Sequence, residues 1–111
     1  MPPTGRLSRP VDVLNYEIVQ EQASALGRLG RNLAEALGEL RDFDAAHPRS
    51  HASFEEKQAR RMLVTAAGYA LWMFVVQREA CGLRDSRSMM RDYKVPAEVH
   101  ERMGAFPVTQ Q

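Results

Sequence analysis

Apolar side chains recur along the first half of the chain with a helical period. Val19, Leu26, Leu33 and Leu40 stand seven apart, and Leu29, Ala36 and Phe43 interleave three further on, which is the a/d seam of a packed helix. Gln22 takes one d position and breaks the seam, while Leu14, Ile18 and Leu37 widen the stripe toward the broader face of a globular bundle. Pro10 suits a first helical turn, and "AAHPRSHAS", Ala45 to Ser53, brings the next proline and ends the pattern. The spacing predicts a first helix over residues 11–46, about 50 Å long at the helical rise per residue.

Ser53 with Glu56 three residues later makes a capping box, so a second long helix is expected over 54–81, stopped by Gly82. Asp85 suits the N-cap of a short helix over 86–93. Pro96 in a first-turn position opens another over 96–103, which Gly104 closes. Nowhere do apolar and polar residues alternate over the length of a strand, and no internal repeat is present. The expected fold is all-α: a long antiparallel helical hairpin plus two short C-terminal helices. One helical domain, 11–104, lies between a disordered leader, 1–10 ("MPPTGRLSRP"), and a flexible tail, 105–111.

The stretch from Met62 to Gln77 carries no charge. Within it Leu71, Trp72, Met73, Phe74, Val75 and Val76 point in every direction around a helix axis, whereas a hairpin buries only one stripe of each helix. Burying Trp72 alone stabilises by roughly 4–6 kcal/mol as an upper bound. The cover is either the tail helices, with Met89, Met90, Tyr93, Val95, Val99 and Met103, or a second copy. The tail is short and largely polar, so the expectation is a twofold homodimer forming a four-helix bundle around the second helix. Ala23, Gly27, Gly30, Ala34 and Gly38 form a small-residue stripe along the first helix. Gly27, Gly30 and Ala34, with Leu71, Trp72, Phe74 and Val75, are the expected packing residues of the hairpin or the dimer. The alternative is that a stable bundle merely tolerates the glycines, at about 1 kcal/mol each.

Fifteen basic residues against fourteen acidic ones give a net charge of +1, less basic than a purely electrostatic nucleic-acid binder. A lone Cys81 excludes an internal disulfide framework and multi-cysteine metal sites, and suits a reducing, cytoplasmic setting. The amino terminus has no apolar signal core. The uncharged run falls short of the ~20 residues that cross a bilayer, so no membrane span is expected.

Few groups suggest chemistry. "GRLGR", Gly27 to Arg31, falls in mid-helix, where backbone amides are already engaged and cannot hold a phosphate. His47 and His51, near Asp42 and Asp44, are metal-ligand types on a proline-containing loop, and the reading favoured is a solvated loop. Cys81 sits at a helix C-terminus, whose dipole does not favour a thiolate, and is read as a small buried hydrophobe. Arg84, Arg87, Arg91 and Lys94, spaced three, four and three, make a candidate surface for an anionic partner, with a solvated face as the alternative. "MMRDYKVPAEVHERMG" has the outline of a helix-turn-helix, but its second helix offers Glu98, His100, Glu101 and Arg102 instead of a basic and amide reading face. No nucleophile with a neighbouring base, no paired buried carboxylates and no Gly-rich loop after a strand stands out. No catalytic residue, metal site or cofactor is expected, and the chain reads as not an enzyme.

"YEIVQEQASALGRLGRNLAEAL" and "FVVQREACGLRDSR" look similar to a family of small, uncharacterised helical proteins from alphaproteobacteria. The resemblance spans residues 16–103 and implies a helical fold and a bacterial cytoplasmic setting, with no activity attached. The function is unknown from the residues, and the leading expectation is a non-enzymatic homodimer serving as an interaction or regulatory module. One alternative is a nucleic-acid-associated regulator using the basic residues of the third helix. The other is a ligand-binding bundle with a pocket near Tyr69, Trp72 and the methionines.

Overall fold

The computed structural model describes residues 10–104. The expected tail, and the expected leader apart from Pro10, lie outside the described residues. Pro10 opens helix α1, Pro10–Ala46, and a 3-10 turn, Arg49–His51, leads into α2, Phe54–Ala80. Two short helices follow, α3, Ser86–Asp92, and α4, Ala97–Arg102, and the described residues contain no strand. The expected all-α hairpin with two short helices is thus the observed fold.

Local chemistry sets the helix ends. The Ser53 hydroxyl accepts from the Glu56 amide at 3.1 Å, and the Ser53 amide donates to Glu56 Oε1 at 2.9 Å, closing the capping box. At the other end of α2, Gly82 has φ +87°. Its amide donates to the Glu79 carbonyl at 3.0 Å and that of Leu83 to the Arg78 carbonyl at 2.8 Å, the paired bonds of a Schellman motif. Asp85 caps α3 by accepting from the Arg87 amide at 3.1 Å. Pro96 is the N-cap of α4, one position before the place expected of it.

α3 ends on the same Schellman pair: Lys94 donates to the Arg91 carbonyl at 3.1 Å and Val95 to that of Met90 at 3.0 Å. Here the left-handed position is held by Lys94, with φ 56°, in place of glycine.

The core joins Leu33, Leu37 and Leu40 of α1 to Val64, Ala67, Leu71 and Phe74 of α2, with Met89 of α3 and Val99 of α4. Burying each large aliphatic side chain stabilises by about 1.5–3 kcal/mol. α1 has 37 residues and α2 has 27, so roughly 15 Å of α1 extends past the end of its partner. The a/d seam is therefore buried only in its second half: Leu33 and Leu40 are in the core, whereas Val19 is 61% exposed. The Cα radius of gyration, 18.9 Å, exceeds the ~13 Å of a compact chain of this length.

The uncharged run divides into sides with different neighbours. α4 lies along the side of α2 marked by Gly68, where the Arg102 Cβ is 3.1 Å from the position of a β-carbon on that glycine. Tyr69, Trp72 and Val76 are 48%, 38% and 45% exposed. α2 is also long and apolar enough, by length and composition, to cross a membrane, with 28% of its apolar window buried inside the protein.

Candidate functional site

Two features stand apart from the core, an exposed apolar surface and a polar cavity at the hairpin turn. On α2, Met62, Tyr69 and Val76 stand seven apart with Trp72 between the last two, so they form one row along the helix. On α1, Val11, Leu14 and Ile18 repeat at three and four along the overhanging part, and Val13, Tyr16 and Val19 are exposed beside them. These two rows hold most of the large exposed apolar residues among the described residues.

The expected packing residues separate into two groups. Gly30, Leu71 and Phe74 are buried within the chain, and Val75 is half-buried against the core. Gly30 lies under Tyr93 and Phe74, whose rings meet edge to face with centroids 5.5 Å apart. Gly27, Ala34 and Trp72 are exposed, and a β-carbon on Gly27 would meet only the Nη1 of Arg31, its own helix neighbour, at 3.4 Å. Ala23, Leu26, Gly27, Gly30, Ala34, Phe74 and Tyr93 line a shallow groove there.

At the turn, Arg60 joins three helices. Its Nε and Nη2 donate to Asp44 of α1 at 2.7 and 3.0 Å, and its Nη1 and Nη2 donate to Glu98 of α4 at 3.0 and 2.6 Å. These hydrogen bonds hold both carboxyls below the usual range and raise the guanidinium pKa. No sequence spacing signalled this bridge, since its members are 16 and 38 positions apart.

Beside the bridge lies a cavity of about 550 Å³, walled by the turn, the first part of α2, and α4. Phe43 and His47 stack along it with centroids 4.2 Å apart. His47 Nδ1 donates to the Phe43 carbonyl at 3.1 Å. Neither Tyr69 nor Trp72 lines this cavity, and no methionine does. The cavity at the turn is thus not the pocket expected near Tyr69, Trp72 and the methionines.

The other candidates scatter. Arg84 precedes α3 and Lys94 follows it, so of the four basic residues only Arg87 and Arg91 share the helix, which is seven residues long. Within the helix-turn-helix outline, Glu98 is held by Arg60, Val99 is wholly buried, and Arg102 Nε donates to Thr65 at 3.1 Å. α4 thus turns these side chains toward α2. Asp44 is engaged by Arg60 and His47 by the Phe43 carbonyl, and the described residues hold no group of three or more His, Cys, Asp or Glu able to bind a metal. Cys81 is half-buried and accepts from Gln77 at 3.7 Å.

Fold and surface define a small helical hairpin protein with two docked tail helices and an apolar outer row. The chain belongs to a family of unknown function, DUF6665, whose model matches residues 6–111. The expected membership of a small uncharacterised family is met. No curated protein and no solved structure matches the chain.

Proposed function

We propose that the chain is a non-enzymatic interaction or regulatory module working as a homodimer, with its own second copy as first partner. The observation that carries this reading is the overhang of α1 together with the outer row of α2. The first turns of α1 lie past the end of α2, and Val11, Leu14, Ile18 and Val19 there are 57%, 55%, 47% and 61% exposed, an apolar surface of the kind that takes a partner. A twofold axis satisfies both features at once: the overhang of one protomer lies along Tyr69, Trp72 and Val76 of its partner, and the reverse. The four long helices then form a bundle with the two α2 helices at its centre.

The same reading assigns the apolarity of α2 to burial in protein, away from any bilayer. The side of α2 that carries Arg60 and Thr65 supports it, because both are engaged by α4. A bacterial cytoplasmic setting agrees with the single unpaired Cys81.

Sedimentation equilibrium tests the proposal. The expected result is twice the chain mass of 12.5 kDa at micromolar concentration, and a single chain mass for a variant carrying Ile18→Arg and Trp72→Arg. A wild-type chain that stays at 12.5 kDa through high micromolar concentrations overturns it.

A further inference from the structure

We propose that the cavity at the hairpin turn binds a small organic anion with a planar apolar part, an aryl carboxylate in chemical class. Its volume, about 550 Å³, lies within the range of small-molecule sites, and it shares no residue with the apolar row assigned above to the dimer. The inference therefore stands apart from the dimer reading.

The class of ligand follows from which side chains are already occupied. Arg60 donates four hydrogen bonds to Asp44 and Glu98, whereas Arg61 donates to the neutral Gln58 and Arg102 to the neutral Thr65, so these two keep their charge uncompensated. Glu56 is taken by the Ser53 amide. Among the lining residues, Lys57 is an exposed cation that makes no side-chain hydrogen bond or ion pair with the described residues, and Arg49 is an exposed cation that acts on Asp44 and Glu98 through its charge alone. Glu101 is the one carboxylate in the lining in the same state as Lys57. Five cations against three carboxylates in the lining favour a negatively charged guest, and charge-assisted bonds to a carboxylate are the strong kind. The stacked Phe43 and His47, with Ala52 and Val64 nearby, supply an apolar wall suited to a planar group. The Arg60 bridge fixes α4 against α2, so this wall and these cations are held in place before any ligand arrives.

The test is a titration of the isotope-labelled full chain with 2-naphthoate, followed by amide and side-chain NMR shifts. Saturable shifts centred on Phe43, His47, Lys57 and Val64 are expected. The neutral analogue 2-naphthol should bind about tenfold more weakly, and so should 2-naphthoate to the Arg49→Gln, Lys57→Gln double variant. Both substituted positions are exposed, and an unchanged melting temperature shows that the variant is folded. The proposal is overturned by shifts that do not saturate at millimolar naphthoate. Shifts centred on Tyr69 and Trp72 overturn it too, as does equal binding of 2-naphthol or by the double variant.

Discussion

The phenol oxygen of Tyr93 stands 2.7 Å from the point where a β-carbon on Gly30 would lie, so the two residues share one space between α1 and the end of α3. The Phe74 ring closes the same space at 3.3 Å. Gly30→Ala must push Tyr93 out, and the expected loss is about 1–3 kcal/mol despite the better helix propensity of alanine. Gly27→Ala meets only its own Arg31 and should gain about 0.5–1 kcal/mol in the folded chain. Thermal melts of the two variants side by side check the pair. A stabilised Gly30→Ala protein contradicts the packing role.

Lys94 holds a left-handed conformation that costs an ordinary residue about 1 kcal/mol or more relative to glycine. Lys94→Gly should therefore raise stability by about 0.5–1 kcal/mol in urea denaturation, and Lys94→Val should lower it. If Lys94 also served an anionic partner, Lys94→Gly would lose that binding while gaining stability.

The Arg60 bridge gives stability a pH dependence of known sign. Asp44 and Glu98 have folded pKa values below their unfolded ones, because Arg60 donates hydrogen bonds to their charged forms. Their contribution is complete above about pH 5 and is lost as pH falls below about 4, through the lowered folded values. Side-chain exposures of 34% and 38% keep each ion pair to about 1 kcal/mol or less. Urea midpoints measured across pH should drop on the acid side, and Glu98→Gln should flatten that drop. Arg60→Met should cost more than Glu98→Gln at neutral pH, since it leaves two carboxylates with no bridging cation.

The overhanging part of α1 supplies a readout of assembly besides mass. An isolated helix of about ten residues is marginal in water, so separated protomers should fray there. Circular dichroism followed through dilution should show helix lost in step with dimer. Amides of residues 11–19 should exchange with solvent fastest in the Ile18→Arg, Trp72→Arg variant.

The parts of the fold that were legible are those decided by neighbours in sequence. Ser53 and Glu56 start α2, Gly82 ends it, and Asp85 caps α3, each through bonds spanning five positions or fewer. The left-handed turn after α3 was hidden because a lysine occupies it. Burial of the second helix was half legible: an all-round apolar run announces that it needs several neighbours, but Leu71 and Trp72 are alike on paper, and only tertiary packing buries one and leaves the other 38% exposed. The cavity was missed for a related reason. His47 reads as a solvated loop residue until α4, some fifty positions later, closes the space beside it.

The mismatch in length between the two long helices has a consequence in time as well as in space. α1 precedes α2 in the chain, so its apolar first turns leave the ribosome before the segments that would cover its core face. Contacts within the hairpin are local and form quickly. The overhang, in contrast, waits for an encounter between two finished chains, an interval set by concentration. Slow accumulation of the chain would prolong that exposure, and fast accumulation would shorten it.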